Sequence, residues 1–385
     1  MGPRNLTKSS IVLIMFCILA LFSCGPKQEK VEKIMEDGVE VVINHLEPYK
    51  LNGKLATVTL AKEFVIDTEK DDLVDIGFYQ PETFDVDSDG NIYFIQWESS
   101  DNYIFKFDSK GSLLTSFCRR GQGPGELEYG GAIVVTPTRE IMAKGPAQSK
   151  FEVFDLEGNY LKTVQMGRVF NPIPLQHDEH LVFWGEDTPE TRKQFVGVCN
   201  SEFKNIKQLE YFQYPNSMNV KSPVNRHRLI YTVSQDKIFI ANSEKGYEIQ
   251  VFDFKGNLIQ KIRKNFQTVK VSEEYEEKYF NRIPEGYPLL KNLYFEEYWP
   301  PFWDLFTDDE GSLFVLTPEE GVNPGEYWHD IFNSDGVFIS RLSLSNSKDL
   351  HSYPFTVKSK NKLLYCLREK ESGFKELIVY KMIWE

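Results

Sequence analysis

Six histidines, His45, His177, His180, His227, His329 and His351, are the first residues to test for chemistry. His227 and His351 open β-rich runs, as do Glu82 and Asp304. Two imidazoles with two carboxylates could hold a divalent metal for a hydrolytic or lyase reaction, and rim histidines without a metal are the competing reading. A second candidate is Arg120-Gly-Gln-Gly-Pro-Gly-Glu126, whose Gly-rich backbone could cradle an anion. No Gly-Lys-Ser/Thr follows it, and it joins two β runs without opening a helix, so it reads as a crossover beside which Arg119 and Arg120 are candidate anion contacts. The sequence has no Gly-x-Ser-x-Gly, His-Glu-x-x-His or Cys-x-x-Cys spacing. An enzyme is therefore permitted and not indicated, no cofactor is predicted, and a divalent metal at the axis stays as the alternative.

The elements that would position these residues are copies of one unit. Phe84-Asp-Val-Asp-Ser-Asp-Gly-Asn-Ile-Tyr-Phe94 is two β-rich runs around an Asp/Gly turn, and Ile104-Phe-Lys-Phe-Asp-Ser-Lys-Gly-Ser-Leu-Leu114 repeats the grammar. The second half recurs as Val153-Phe-Asp-Leu-Glu-Gly-Asn-Tyr-Leu161, Val251-Phe-Asp-Phe-Lys-Gly-Asn-Leu-Ile259 and Ile331-Phe-Asn-Ser-Asp-Gly-Val-Phe-Ile339, with a worn copy at Val198-Cys-Asn-Ser-Glu-Phe-Lys-Asn-Ile206. The first half recurs at Leu305 to Phe314 and, worn, at Val134 to Met142, Leu175 to Val182, Thr232 to Phe239 and Val357 to Leu364. Six units result, beginning near residues 82, 131, 171, 227, 302 and 353.

Four antiparallel strands in roughly 40 to 50 residues is the period of a β-propeller blade. The expected fold is all-β, a six-bladed β-propeller over residues 55–385, with a mostly irregular or helical insertion before blade 5. The last unit has only three strands before the chain ends. The alternating stretch Leu55 to Ile66 is expected to supply the fourth and close the ring, since an open propeller would leave a strand edge unpaired.

On these repeats, together with Arg120 to Glu126, Ile283-Pro-Glu-Gly-Tyr-Pro288 and Asp308-Asp-Glu-Gly-Ser-Leu-Phe-Val315, residues 55–385 resemble the NHL-repeat-like six-bladed β-propeller family of Gram-negative bacteria. That family is found largely as secreted or lipid-anchored proteins, many with no assigned activity. The resemblance implies a shape far more than a chemistry.

The N-terminus supplies an address. Arg4 and Lys8 precede an apolar run from Ile11 to Phe22, too short to span a bilayer comfortably. Leu21-Phe-Ser-Cys24 at its end resembles a bacterial lipobox, in which Cys24 is lipidated after removal of residues 1–23; an ordinary signal peptide with an incidental cysteine is the other reading. Gly25 resembles lipoproteins sent to the outer membrane. Residues 24–54 are then a lipid-anchored tether and lead-in, with 25–37 solvated and contributing no strand.

Composition agrees with an exported β protein. With Arg4 and Lys8 removed from the 44 basic residues, 42 stand against 57 acidic ones, a net charge of −15. That sign argues against nucleic acid or anionic lipid as a partner, leaving the lipid anchor as the membrane contact. Beyond Cys24 the mature chain has Cys118, Cys199 and Cys366, an odd number spread over three units, so its stability should come from a packed core.

Turns within strand pairs of a propeller alternate faces, so the Asp/Gly turns share one face and the longer connections share the other. That loop-rich face carries Arg119 to Tyr129, Tyr211 to Asn225, Lys264 to Pro301 and Pro318 to Tyr327. In the longest, Ser272 is predicted to cap a helix running through Arg282, stopped at Pro284. Residues opening the inner strands should converge on the axis there: Glu82, Asn171, Arg226, His227, Trp303, Asp304, His351 and Tyr353. Such a mixture suits a peptide, glycan or protein partner. Trp303 and Tyr353 could equally pack between blades. The sequence thus points to a monomeric, lipid-anchored binding or scaffold module of the outer membrane.

Overall fold

A computed structural model of the chain describes residues 31–50, 53–99, 101–146, 149–166, 169–175, 179–204, 206–234, 236–284, 286–345 and 356–385. Cys24, His351 and Tyr353, and with them the predicted signal segment and lipobox, lie outside the described residues. The repeat becomes structure through one hydrogen-bonding device. Asp87 Oδ1 accepts the N–H groups of Asp89 and Asn91 at 2.9 and 2.8 Å, while Gly90 takes φ +85°. Asp108, Asp308 and Asn333 bond their own turns in the same pattern. The side chain thus supplies the acceptor that fixes each reversal, and the flanking aromatic and β-branched runs pair across it.

Six antiparallel blades result, over residues 81–119, 132–165, 169–215, 229–264, 304–345 and 356–384. Blade 6 has three strands of its own and takes β3 (Val58–Asp67) as its fourth, with Leu377 opposite Ile66. Thr57 and Glu385 exchange backbone hydrogen bonds at 3.1 and 3.0 Å, sealing the ring. The expected closing strand is therefore present. The connection from β3 to blade 1 holds the short helix α1 (Asp71–Asp75), and Phe78 beyond it is fully buried against Phe94, Phe105 and Phe107.

Apolar side chains from facing sheets form clusters at the junctions between blades. Four of the six junctions are locked at the turn between the third and fourth strands. A Cβ on Gly111, Gly158, Gly256 or Gly336 would lie 2.9 Å from Phe64, 2.6 Å from Phe117, 2.7 Å from Leu209 and 2.8 Å from Ile262, so a large side chain of the preceding blade packs onto each bare glycine.

The lead-in departs from expectation. Residues 32–44 are not a solvated tether: β1 (Glu32–Glu36) and β2 (Val39–Asn44) form a hairpin whose β2 pairs in parallel with Leu258–Lys264, extending blade 4 to six strands. Asp37 and Gly38 turn it with φ +51° and +81°, and Val41 and Val42 are fully buried. Asn44 then bridges to blade 5. Its Nδ2 donates to Arg263 O and Gly336 O at 3.2 and 3.0 Å, and its Oδ1 accepts the Phe338 N–H at 2.8 Å. Beneath this strap, buried Asp330 accepts from Tyr247 Oη at 2.8 Å and pairs with Lys264 at 3.2 Å and Arg341 at 2.8 Å.

Candidate functional site: the loop-rich face

Two of the long connections on this face are stitched into one cap over blades 4 and 5. Asn225 Nδ2 donates to Glu296 O and Tyr298 O at 2.9 and 3.0 Å, and its Oδ1 accepts the Glu296 N–H at 2.8 Å. Asn292 Nδ2 reaches Ser217 O at 2.9 Å, and Ser222–Pro223 pairs in parallel with Leu293–Tyr294. The predicted helix forms as α2 (Glu273–Asn281), with Ser272 Oγ accepting the Tyr275 N–H and Glu273, Glu274 and Glu276 in its first turn, where the N-terminal helix dipole favours acids. Beneath it an aromatic chain runs from Tyr275 to Trp299 (ring centroids 5.1 Å apart), Trp303 (5.1 Å) and Tyr327 (5.3 Å).

Trp303 is only 4% exposed within this chain and packs under the cap, against Trp299, Leu316 and Tyr327. Asp304 beside it opens the inner strand of blade 5 and is half-buried. Burial raises its carboxyl to about 6, against the opposing pull of the Leu305 N–H at 2.8 Å and the charge of Arg228. Arg226 lies over the Tyr214 ring at 4.6 Å, and His227 is exposed with Nδ1 3.2 Å from Ser243 Oγ. Arg226 and His227 thus precede the inner strand of blade 4 and Trp303 and Asp304 stand at the start of that of blade 5, with Arg226 turned to the blade 3 outer strand. Glu82 stands at the opening of blade 1, 3.9 Å from Lys375 Nζ. Asn171 falls in the inner strand Val169–Pro174. Among the described residues no three His, Cys, Asp or Glu side chains stand together as a metal-ligand set.

The Gly-rich crossover is filled by its own side chains. Glu126 Oε2 accepts the Gly123 N–H at 2.9 Å and would lie 2.0 Å from a Cβ on Gly121, while buried Glu152 accepts the Gly125 N–H at 3.0 Å. Carboxylates already occupy the amides that an anion would need. Arg119 and Arg120 are exposed at the end of the blade 1 outer strand.

The sequence reading missed the exposed aromatics of this face. Trp97, in the loop between the second and third strands of blade 1, is 44% exposed, and its ring is 6.0 Å from that of Tyr129, 43% exposed. The Gly130 N–H donates to Trp97 O at 3.1 Å, tying the two loops together. Tyr287, Tyr294, Tyr298 and Met218 are exposed on the cap. The readable signal was a large aromatic immediately beyond a strand end, at Gln96-Trp97.

A family model described as a 6-bladed beta-propeller matches residues 85–232. No curated protein sequence matches the chain. Among solved structures it is similar to a protein from Bacteroides fragilis, at 11% identity over 89% of this chain and 99% of that one, with a TM-score of 0.48. It is similar to virginiamycin B lyase from Staphylococcus aureus, at 10% identity over 84% and 88% of the two chains, TM-score 0.36. It is also similar to the calcium-binding protein regucalcin from Agrobacterium tumefaciens, at 8% identity over 78% and 91%, TM-score 0.38. None of these three likenesses carries an argument about function. With six blades closed by β3, and with a model of six-bladed propellers matched from blade 1 into blade 4, the chain is a six-bladed β-propeller.

Proposed function

We propose that the chain is an exported, lipid-anchored module of the Gram-negative outer membrane that binds a peptide, glycan or protein partner through its loop-rich face. The observation that carries this reading is the set of exposed aromatics on loops held by backbone and amide hydrogen bonds, Trp97 with Tyr129 and Tyr287, Tyr294 and Tyr298 on the stitched cap. Rigid aromatics bring large contact area at low cost in conformational entropy, which is why they anchor binding surfaces. Peptide and glycan arrays probed with the full chain test it. Trp97→Ala and Tyr129→Ala should each weaken the strongest hit about tenfold or more, and Ser109→Ala on the turn face should leave it unchanged. Equal loss from all three would remove the loop-rich face from the proposal.

The anchor has its own measurement. The full chain expressed in a Gram-negative host should partition into the detergent phase, and Cys24→Ser should move it to the aqueous phase. Wild-type protein in the aqueous phase overturns the lipid anchor. An axial hydrolase or lyase is the second reading, supported by Asp304, whose carboxyl at about 6 lies where general acid–base groups work. An esterase and lyase screen with added divalent metal tests it, and any activity should be lost in Asp304→Asn.

A further inference from the structure

The opposite, turn face carries a cleft of about 460 Å³ between blades 2 and 3. Its origin lies in one turn. At the position where Gly111, Gly158, Gly256 and Gly336 receive a large side chain of the preceding blade, blade 3 carries Phe203, in the left-handed region at φ +55° and 7% exposed. Opposite it, at the fifth position of the blade 2 outer strand, stands Val164, where the equivalent strands of blades 1 and 4 carry Phe117 and Ile262. The lock is reversed, with the large residue on the turn and the small one on the strand. Phe203 packs with Met142, Phe151, Val153 and Val164, and its ring lies 5.0 Å from that of His180.

The space this leaves has apolar walls, Met142, Val153, Val164, Leu175 and Phe203, and a polar mouth at Glu140, Lys162 and Glu179. Lys162 is already paired with Glu140 at 3.0 Å. No hydrogen bond or ion pair among the described residues engages the Glu179 carboxylate, which is partly exposed. Among the described residues the mouth therefore presents the unpaired Glu179 carboxylate above an apolar slot, within the size range of small-molecule sites. The acidic balance of the chain favours the same sign of ligand.

We propose that this cleft binds a small amphipathic amine, with its apolar body between blades 2 and 3 and its cationic head at Glu179. Calorimetric titration of the full chain with phenethylamine, phenethyl alcohol and phenylacetate tests it. Phenethylamine should bind about tenfold tighter than phenylacetate, with the alcohol between. The double variant Val164→Phe/Phe203→Gly installs the lock seen at four other junctions and should lose phenethylamine binding while melting cooperatively. Glu179→Gln, at the solvent-facing mouth, should bring the amine down to the affinity of the alcohol. Absence of saturable amine binding, equal binding of amine and acid, or amine binding unchanged in Glu179→Gln would each overturn the proposal.

Discussion

The junction between blades 4 and 5 and the junction between blades 2 and 3 are built from the same repeated unit, yet one is reinforced and the other is left open. At the first, Ile262 packs onto Gly336, Asn44 bonds backbone groups of both blades, and Asp330 gathers Tyr247, Lys264 and Arg341. At the second, Phe203 faces Val164 and a cleft remains. The strand-ladder and Asp/Gly-turn hydrogen bonds of the unit lie within a blade, so they determine the blade and leave each junction to the side chains that meet there. A repeat protein can therefore specialise one junction without disturbing its blades.

The largest effect should come from removing what reinforces the first junction. Deleting residues 31–66 takes away β1, β2 and β3, opens blade 6 and should abolish cooperative melting. Deleting only 31–50 removes the strap. Losing the burial of Val41 and Val42 should cost about 4 kcal/mol in urea-monitored stability. An unchanged urea midpoint for the shorter deletion would mean that the strap is ornamental and that the contrast between the junctions is false.

A smaller effect follows from transplanting the open junction onto a closed one. Gly158→Phe would place a ring where a Cβ alone meets Phe117 at 2.6 Å, on backbone at φ +90°. Overpacking and left-handed strain together should cost about 4 kcal/mol. Adding Phe117→Val should recover part of this loss, as a double-mutant cycle would record. Phe203→Gly alone should cost about 3 kcal/mol, because the buried phenyl is lost while the strain at φ +55° is relieved. Strictly additive effects of Gly158→Phe and Phe117→Val would show that the pair is not the lock.

The blades were legible because Asp-Ser-Asp-Gly and Asp-x-x-Gly turns encode their own reversal within five residues, and the closing strand was legible because three strands demand a fourth. The strap was legible in principle: Asp37-Gly38 between Met35 and Val39 is a strong short-range hairpin signal, outweighed in the reading by the surrounding charge. The cap was not, because Asn225 and Glu296 are 71 residues apart and neither side chain specifies the other. The axial residues were assigned by blade position, which finds the strand each one opens but does not say what its side chain meets: Arg226 turns to Tyr214 and Trp303 to the aromatics under the cap. The cleft needs Phe203 and Val164 read as a pair, and a worn repeat shows only that a glycine is missing.

The smallest effect concerns acid. Three turns between third and fourth strands begin with Asp108, Asp155 and Asp253, whereas the blade 5 turn begins with Asn333 and the open junction's with Asn200, which accept the Val337 and Lys204 N–H groups at 3.0 and 2.8 Å. The Ser112 N–H leads in holding Asp108 below the usual carboxylate range. Partial burial works the other way at Asp155 and Asp253, and hydrogen bonds from Asn159 and Asn257 overcome it, so these carboxyls also lie low. A carboxyl depressed in the folded chain contributes stability above its unfolded value, about 4, and loses it as pH falls through the folded value. Chemical melts between pH 5 and 3 should therefore show Asp155→Asn declining less steeply than the parent chain and Asn200→Asp more steeply, by small amounts because all of these turns are open to solvent. Parallel declines for all three proteins would mean that the aspartates hold their turns no differently from an asparagine, and that the Asn200 turn differs from its sisters only in carrying Phe203.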